Sequence, residues 1–245
     1  MNLAEPSILS ETESWAIVFK PHGMPTAPLP GKEQGTLLLW FLSQRPEAAG
    51  VYGKKEIEHG LLHRLDTNTC GLVLIAKQQH AFDGLSMAQQ AGRIKKTYHA
   101  FCSAENNIEL PGDGRYPFVI TSQFRAYGPG RKEVRPLYPG MRGYKKGAGS
   151  YTTIIESATP FSDSQVLSVT CAIKRGYRHQ IRAHLAHIGY PIIGDSLYNP
   201  LFRSGSAVAD ASIPLQLYAI GLTFPDPDSG EQVSFSLPQP DKMTR

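Results

Sequence analysis

Short apolar runs separated by turn residues are the feature that most limits how this chain can fold. Residues 72–76 (LVLIA) form a continuous apolar run of strand length, and residues 97–103 and 166–173 alternate with a period of two. Two further runs, residues 215–222 and 231–237, flank the turn-rich segment PDPDSG. Strands therefore outnumber helices and follow one another in the chain. This pattern predicts an α+β fold with a mixed, largely antiparallel β-sheet flanked by helices and loops.

Two segments have helical spacing instead. Residues 80–91 place apolar side chains on one helical face and end at Gly92, a residue type that commonly terminates helices. Residues 179–188 carry a second apolar stripe and end at Gly189. We expect a helix at each place.

Composition limits the class of protein. The chain has 245 residues, of which 41% are hydrophobic, and a formal net charge of +4, which excludes disorder as its main state. No apolar run reaches the roughly 20 residues of a membrane-spanning helix, and the acidic start does not resemble a secretory signal. Three cysteines without a C-x-x-C pair favour a reducing compartment. The sequence therefore predicts a cytoplasmic protein without a membrane partner.

No repeat or linker divides the chain. Residues 1–245 are therefore predicted to form a single domain, with residues 1–14 as a tail before a strand at residues 15–19 (WAIVF). Oligomeric state has no signature in the sequence, and a monomer is the default expectation.

Positive charge is concentrated in one segment, residues 125–151, which we call the basic segment. Seven basic residues and one acidic residue lie between Arg125 and Lys146, with tyrosines interleaved among them. Cations that meet phosphates and rings that meet bases are typical of an RNA contact surface, although a solvated basic loop has the same composition. The residues predicted to contact RNA are Lys95, Lys96, Arg125, Arg131, Lys132, Arg135 and Arg178.

Two polar segments carry candidate chemistry. In the first, residues 59–71, a polar loop containing Asp66 leads directly into the apolar run 72–76, which is a rigid support for a reactive carboxylate. In the second, residues 174–187, the spacing of Arg178 and Arg182 puts both on one helical face, where a guanidinium fork suits a carboxylate partner. A turn stabilised by its own Asp and Thr residues, and a surface ion pair, are the structural alternatives.

A metal site is a third interpretation. Histidines and carboxylates of the two segments, namely His59, His63, Asp66, His184 and His187, are possible metal ligands. Their spacing matches neither H-E-x-x-H nor a cysteine-containing finger, and arginines stand close by in the sequence. The sequence therefore favours a site without metal.

Four stretches together resemble the RluA-type family of RNA pseudouridine synthases. In chain order they are Lys20–Pro25 (family K-P-x-G-x-P), His63–Gly71 (H-R-L-D-x-x-T-S-G), Lys95–Ala100 (K-x-Y) and Gly176–Asp195 (G-R-x-H-Q-I-R … G-x-P-I-x-G-D). The resemblance implies the pseudouridine synthase catalytic fold, in a form lacking an N-terminal S4-type RNA-binding domain. Two departures stand out: Cys70 replaces a serine, and Tyr177-Arg178 replaces Arg-x.

The resemblance also implies roles for individual residues. Asp66 would be the nucleophile or the initiating base, Arg182 its ion-pair partner, and Tyr98 the ring that lies against the target uracil. Arg64 would take the place of the extruded base. The residues that would shape the loop and the base pocket are His63, Leu65, Thr69, Gly71 and Ile181.

The implied activity is the site-specific isomerisation of uridine to pseudouridine in structured RNA, either ribosomal or transfer RNA. The reaction breaks a carbon–nitrogen bond and remakes the link through carbon 5 without a second substrate, so no cofactor or metal is expected. It requires an ionised carboxylate, which an adjacent arginine favours, and a base taken out of its stack. The remaining alternatives are a non-catalytic RNA-binding or chaperone protein on the same scaffold and a metal-dependent hydrolase.

Overall fold

The structure is a computed structural model that describes residues 5–28, 34–104, 111–161, 165–202 and 213–243. The strands of these residues are β1 (Ser7–Glu11), β2 (Trp15–Lys20), β3 (Cys70–Ala76), β4 (Lys95–Ser103), β5 (Phe118–Tyr127), β6 (Glu133–Leu137), β7 (Tyr151–Pro160), β8 (Val166–Ile173), β9 (Leu217–Pro225) and β10 (Gln232–Ser236). The helices are α1 (Leu37–Gln44), α2 (Gln79–Gln90) and α3 (Gln180–His187). No helix in these ranges has the length and apolar character needed to cross a membrane.

The chain forms two compact units. The first contains Met1–Lys96 and Tyr218–Pro238, and the second contains Thr97–Leu217 and Gln239–Arg245. In the first unit, β1, β2 and β3 pair antiparallel in sequence order, and β10 pairs antiparallel with β9. β3 and β9 are parallel. The sheet is therefore mixed, as the sequence predicts.

The core of the first unit lies around β2 and β3. Every residue of both strands is buried, which explains why their sequences are nearly continuous apolar runs rather than alternating ones. Helix α2 adds one apolar face to this core. Trp15 packs edge-to-face on Phe224 with ring centroids 5.1 Å apart, and its indole nitrogen donates to Asp226 over 2.8 Å. The core thus provides a rigid support at the start of β3.

The second unit contains a sheet whose strand order is β4-β8-β7-β5-β6. The pairings of β7 with β8, β5 with β7, and β5 with β6 are antiparallel. Helix α3 packs against β6 and β7 and buries Ile181, Arg182, His184 and Leu185. A helix that buries an arginine and a histidine needs polar partners inside the unit.

The elements predicted from apolar spacing are confirmed, including the strands at residues 72–76, 97–103 and 166–173 and the helix at residues 80–91. The prediction that residues 1–14 form a tail is wrong, because they contain β1. The second predicted helix begins later, at Gln180, so Arg178 precedes it and does not share a helical face with Arg182.

Candidate active site

Asp66 lies in the loop that leads into β3 in the first unit. The segment before it runs alongside β3: Leu62 donates its backbone N–H to Leu74 O over 3.2 Å, and Ala76 donates to Gly60 O over 2.8 Å. A turn then begins at Asp66, whose carbonyl accepts from the Thr69 N–H over 3.0 Å. Asp66 is half-buried and Thr69 is buried. The loop is therefore joined to the core of the unit at both ends.

A buried lysine, Lys20, binds backbone carbonyls of this loop and of the segment that follows β2. The ammonium of Lys20 donates to the carbonyls of Pro21 (2.9 Å), Met24 (2.8 Å) and Thr67 (3.0 Å). Burial lowers the pKa of Lys20 to about 8, and the negative charges of Cys70 and Asp66, where ionised, act in the opposite direction. Lys20 is therefore a cation at neutral pH, close enough to Asp66 to interact with its carboxylate.

Two further side chains fix the backbone on either side of Asp66. The hydroxyl of Thr26 donates to Leu65 O over 2.8 Å and accepts from Leu65 N over 3.1 Å. The Nδ1 of His22 lies 2.7 Å from Asn68 O, and its ring packs edge-to-face on Tyr218 with centroids 5.6 Å apart. Lys20, His22 and Thr26 thus hold three successive parts of the loop through its backbone atoms.

His63 and Gly71 shape the two ends of the loop. The Nε2 of His63 accepts from Leu74 N over 3.2 Å, so in the neutral ring the proton lies on Nδ1. Burial, assisted by the cations Lys96 and Lys54, lowers the pKa of His63 to about 3. Gly71 has φ +123°, and a Cβ at this position would lie 2.2 Å from the carbonyl oxygen of Ala219 on the parallel strand β9. Only glycine permits this pairing.

Arg64, unlike His63 and Gly71, has a side chain that is largely exposed to solvent. Its side chain is 52% exposed and donates to Glu58 over 2.9 Å. The Glu58 side chain is only 13% exposed, so the pair is open to solvent on the arginine side. Arg64 thus faces solvent, whereas its neighbour Leu65 is buried.

The remaining predicted site residues lie in the second unit. Tyr98 on β4 and Ile181 on α3 are buried. The guanidinium of Arg182 binds the carboxylate of Asp195 in a bidentate manner, with Nε–Oδ2 and Nη2–Oδ1 distances of 2.8 Å each. Oδ1 of Asp195 also accepts the backbone N–H groups of Leu197 (3.0 Å) and Tyr198 (3.1 Å).

The Arg182–Asp195 pair was not predicted from the sequence. Asp195 is only 1% exposed, and the Arg182 guanidinium carbon also lies 5.2 Å from the ring centroid of Tyr198. The expected ion pair of Arg182 with Asp66 stays a prediction. Lys20 and Asp195 occupy fixed positions of the quoted motifs, which was the available signal in the sequence. His22 occupies a variable position of its motif and Thr26 follows that motif, so no signal in the sequence marked these two residues.

The residues predicted to contact RNA have different environments. Arg125, Arg131, Lys132 and Arg135 are exposed, and Lys95 is partly exposed. Lys96 does not lie on the surface: it is 3% exposed, because the alternation of β4 turns it inward. Within the described ranges its ammonium has no hydrogen-bond partner. The prediction that Lys96 contacts RNA at the surface is therefore wrong.

Arg178 is exposed but has a structural contact. Its Nη2 donates to the backbone carbonyls of Arg131 (2.6 Å) and Glu133 (3.1 Å). It thereby fixes the start of β6. A contact of Arg178 with RNA stays a prediction.

The histidines of the alternative metal site have other partners. Nε2 of His184 lies 2.8 Å from Ser122 Oγ, and Nδ1 lies 2.8 Å from Thr153 Oγ1. His59 Nδ1 lies 2.9 Å from Ala49 O. Within the ranges that the structure describes, no group of three or more His, Cys, Asp or Glu side chains is arranged to hold a metal ion.

Comparison with known proteins identifies the family. A model of the RNA pseudouridylate synthase family matches residues 14–187, which include the Asp66 loop, so this chain belongs to that family. The chain is 31% identical over 241 residues to the ribosomal large subunit pseudouridine synthase D of Neisseria meningitidis serogroup A, a match that covers 96% of this chain and 59% of that protein. The chain therefore spans less than two thirds of that relative. The resemblance seen in the four motifs is confirmed.

Other comparisons agree. The chain is 29% identical over 247 residues to an uncharacterised RNA pseudouridine synthase of Bacillus subtilis, covering 98% of this chain and 72% of that protein. A solved structure of human RNA pseudouridylate synthase domain containing 1 has a TM-score of 0.70 at 19% identity, covering 98% of this chain and 86% of that one. This similarity confirms the predicted fold class.

Replacing Lys20 with methionine is expected to destabilise the first unit by about 2 kcal/mol, because three carbonyls lose a buried donor. The cost should increase as the pH rises from about 8 towards 10.5, since over this interval the unfolded chain binds the Lys20 proton more tightly than the folded chain does. Urea unfolding at two pH values measures both effects. Lys55→Met, at an exposed lysine, is the control. Equal stability of Lys20→Met and the unaltered protein would contradict the assigned role.

Proposed function

We propose that this chain isomerises uridine to pseudouridine in structured RNA and that Asp66 initiates the reaction. The observation that carries the proposal is the family match over residues 14–187, within which the motif carrying Asp66 is held by dedicated side chains. A loop fixed through its backbone holds Asp66 at a defined position. Such preorganisation is a requirement of catalysis, whereas a simple turn does not need it.

The reaction is balanced within one nucleotide. The bond between N1 of uracil and C1′ of ribose breaks, the base rotates, C5 bonds to C1′, the C5 proton leaves and N1 gains a proton. In one route Asp66 attacks a carbon atom directly, and in the other it removes a ribose proton and gives a glycal intermediate. Both routes begin with an ionised carboxylate.

Cations belong to the proposed site. The Lys20 ammonium interacts electrostatically with Asp66, and this attraction partly opposes the lowering of the Lys20 pKa by burial. In the proposal, the Arg182 guanidinium is a second cation beside Asp66, and it is oriented by Asp195. Tyr98 would lie against the uracil. Arg64, exposed to solvent, would fill the space left by the flipped base.

The proposed partner is RNA, with large-subunit ribosomal RNA the first candidate and transfer RNA the second. The first choice follows the name of the Neisseria relative. We further propose that the chain acts as a monomer, without a cofactor, in the cytoplasm. The three cysteines are buried free thiols, and burial raises the pKa of Cys70 and Cys171 to about 12, so these thiols are unreactive.

Release of the C5 hydrogen provides the test. Large-subunit ribosomal RNA and transfer RNA transcribed with uridine tritiated at C5 should release tritium when the protein is added, and the product nucleoside should be pseudouridine. Ribosomal particles and total RNA from cells lacking the gene provide substrates in their native assembly. Absence of pseudouridine from all of these substrates, with folded protein, would contradict the proposal.

A further inference from the structure

Three aromatic rings form a partly exposed cluster in the second unit, which we call the ring platform: Phe124 on β5, Tyr151 on β7 and Tyr177 before α3. Phe124 and Tyr177 are stacked, with centroids 5.1 Å apart and an interplanar angle of 8°. Tyr151 lies 4.9 Å from Tyr177 and 6.0 Å from Phe124. All three residues are only partly buried. The cluster therefore reaches the surface of the unit and does not lie wholly in its core.

A buried amide fixes Tyr177 in the ring platform. The Oε1 of Gln180 accepts from Tyr177 N over 2.9 Å, and its Nε2 donates to Thr152 O (2.9 Å) and Thr153 Oγ1 (3.1 Å). Gln180 is 2% exposed. One side chain thus ties the backbone of Tyr177 to β7, the strand that carries Tyr151. The arrangement of the rings is set before any ligand binds.

A neutral histidine supports Phe124 from within the unit. The ring of His184 packs against Phe124 with centroids 4.8 Å apart, while Ser122 and Thr153 engage its two nitrogens. Burial lowers the pKa of His184 to about 4, so the imidazole is uncharged at neutral pH. Phe124 therefore contacts two rings, Tyr177 in a stacked arrangement and His184 in a tilted one with an interplanar angle of 37°.

A cation lies at the edge of the ring platform. The guanidinium of Arg175 lies 6.0 Å from the ring centroid of Tyr151, and Arg175 is exposed. Gln123 and Arg125 are the neighbours of Phe124 on β5, so their side chains lie on the other face of that strand and do not belong to the ring platform. Arg175 therefore offers a positive charge on the exposed side of the rings.

We propose that the ring platform stacks an unpaired base of the RNA substrate while Arg175 binds an adjoining phosphate. The inference rests on the proposed function, and it adds a second base-binding site to the one that holds the target uridine. Flat rings with a cation at their edge suit a nucleotide, because every base has a π-face and every link carries a negative charge. A cluster that only closed the core would gain more from full burial and would not need the cation.

Tyr177 distinguishes the ring platform of this chain from the family motif. It occupies the position at which the sequence departs from the family motif, which has arginine there. A tyrosine at this position completes the stack on Phe124. The proposed site therefore contributes to the choice of RNA target by this chain.

Replacing Tyr177 with leucine is expected to weaken binding of a short fluorescein-labelled single-stranded RNA by about tenfold, measured by anisotropy. Tyr177→Phe keeps the ring and should bind like the unaltered protein. Tyr52→Leu, at a tyrosine that is 76% exposed in the first unit, is the matched control and should also bind normally. Equal thermal unfolding midpoints of Tyr177→Leu and Tyr177→Phe ensure that folding does not cause the difference.

Two further measurements separate stacking from charge. The same RNA with abasic residues should bind the unaltered protein about tenfold more weakly than the intact RNA, but it should bind Tyr177→Leu almost as well as intact RNA does. Arg175→Ala should reduce the salt dependence of binding, whereas Tyr177→Leu should leave it unchanged.

The result that overturns this inference is normal binding by folded Tyr177→Leu, or an equal response of both proteins to abasic RNA. Failure of the proposed function is a separate result. If the unaltered protein forms no pseudouridine but these binding differences are found, the base-stacking role of the ring platform is supported and the catalytic proposal is contradicted. If pseudouridine forms and Tyr177→Leu binds RNA normally, the catalytic proposal is supported and the base-stacking role is contradicted.

Discussion

Replacing Asp66 with asparagine is expected to lower the rate of pseudouridine formation by at least roughly 10³-fold while RNA affinity remains nearly unchanged. Asparagine has the shape of aspartate but is neither a useful nucleophile nor a base at neutral pH. The loop should keep its conformation, because Lys20, His22 and Thr26 hold its backbone and asparagine keeps the size of the aspartate side chain. Tritium release from RNA labelled at C5 of uridine measures the rate, and anisotropy measures the affinity.

Asp83→Asn is the matched control for this variant. Asp83 is exposed on α2 in the same unit and accepts a hydrogen bond from Gln79 over 3.0 Å, which an asparagine oxygen can also accept. We expect it to retain full activity. If Asp66→Asn forms pseudouridine at a normal rate, or restores a deletion strain as well as the unaltered gene does, the catalytic role of Asp66 is excluded. The second outcome would favour the non-catalytic RNA-binding alternative.

Apolar spacing was sufficient to predict the elements that build the core. β3 is buried along its whole length, β8 alternates between partly buried and buried residues only at its start and is buried after that, and α2 buries one face with the period of a helix. The strands that were not predicted, β1 and β5 to β7, have polar or partly exposed sequences. Their pairing depends on neighbouring strands, which a local pattern does not contain.

The site was predictable only in part, for a related reason. The motifs identified Asp66 and Arg182, but the side chains that hold the loop act on backbone carbonyls. Every residue has a backbone carbonyl, so a hydrogen bond to a carbonyl requires no particular residue type at the acceptor. The partner of such a bond therefore cannot be recognised from the sequence. Lys96 illustrates the opposite error: a lysine beside another lysine suggests a surface, yet the pleat of β4 buries it.

Replacing Arg182 with methionine is expected to destabilise the protein by about 3–5 kcal/mol, because the carboxylate of Asp195 is left buried without its cation. Asp195→Asn should cost a similar amount, since the buried guanidinium loses its bidentate carboxylate. Both singly changed proteins should also lose most of their activity. Urea unfolding and tritium release measure the two effects, and Arg45→Met, at an exposed pair with Glu11, is the control for loss of an arginine.

The doubly changed protein, Arg182→Met with Asp195→Asn, separates structure from catalysis. It contains no unpaired buried charge at these two positions, and asparagine still offers an oxygen to the N–H groups of Leu197 and Tyr198. Stability should therefore recover well above that of either single variant. If Arg182 also neutralises Asp66, as proposed, activity stays lost in this stable protein. Recovery of activity together with stability would show that Arg182 serves only the fold, and the cation beside Asp66 would then be Lys20 alone.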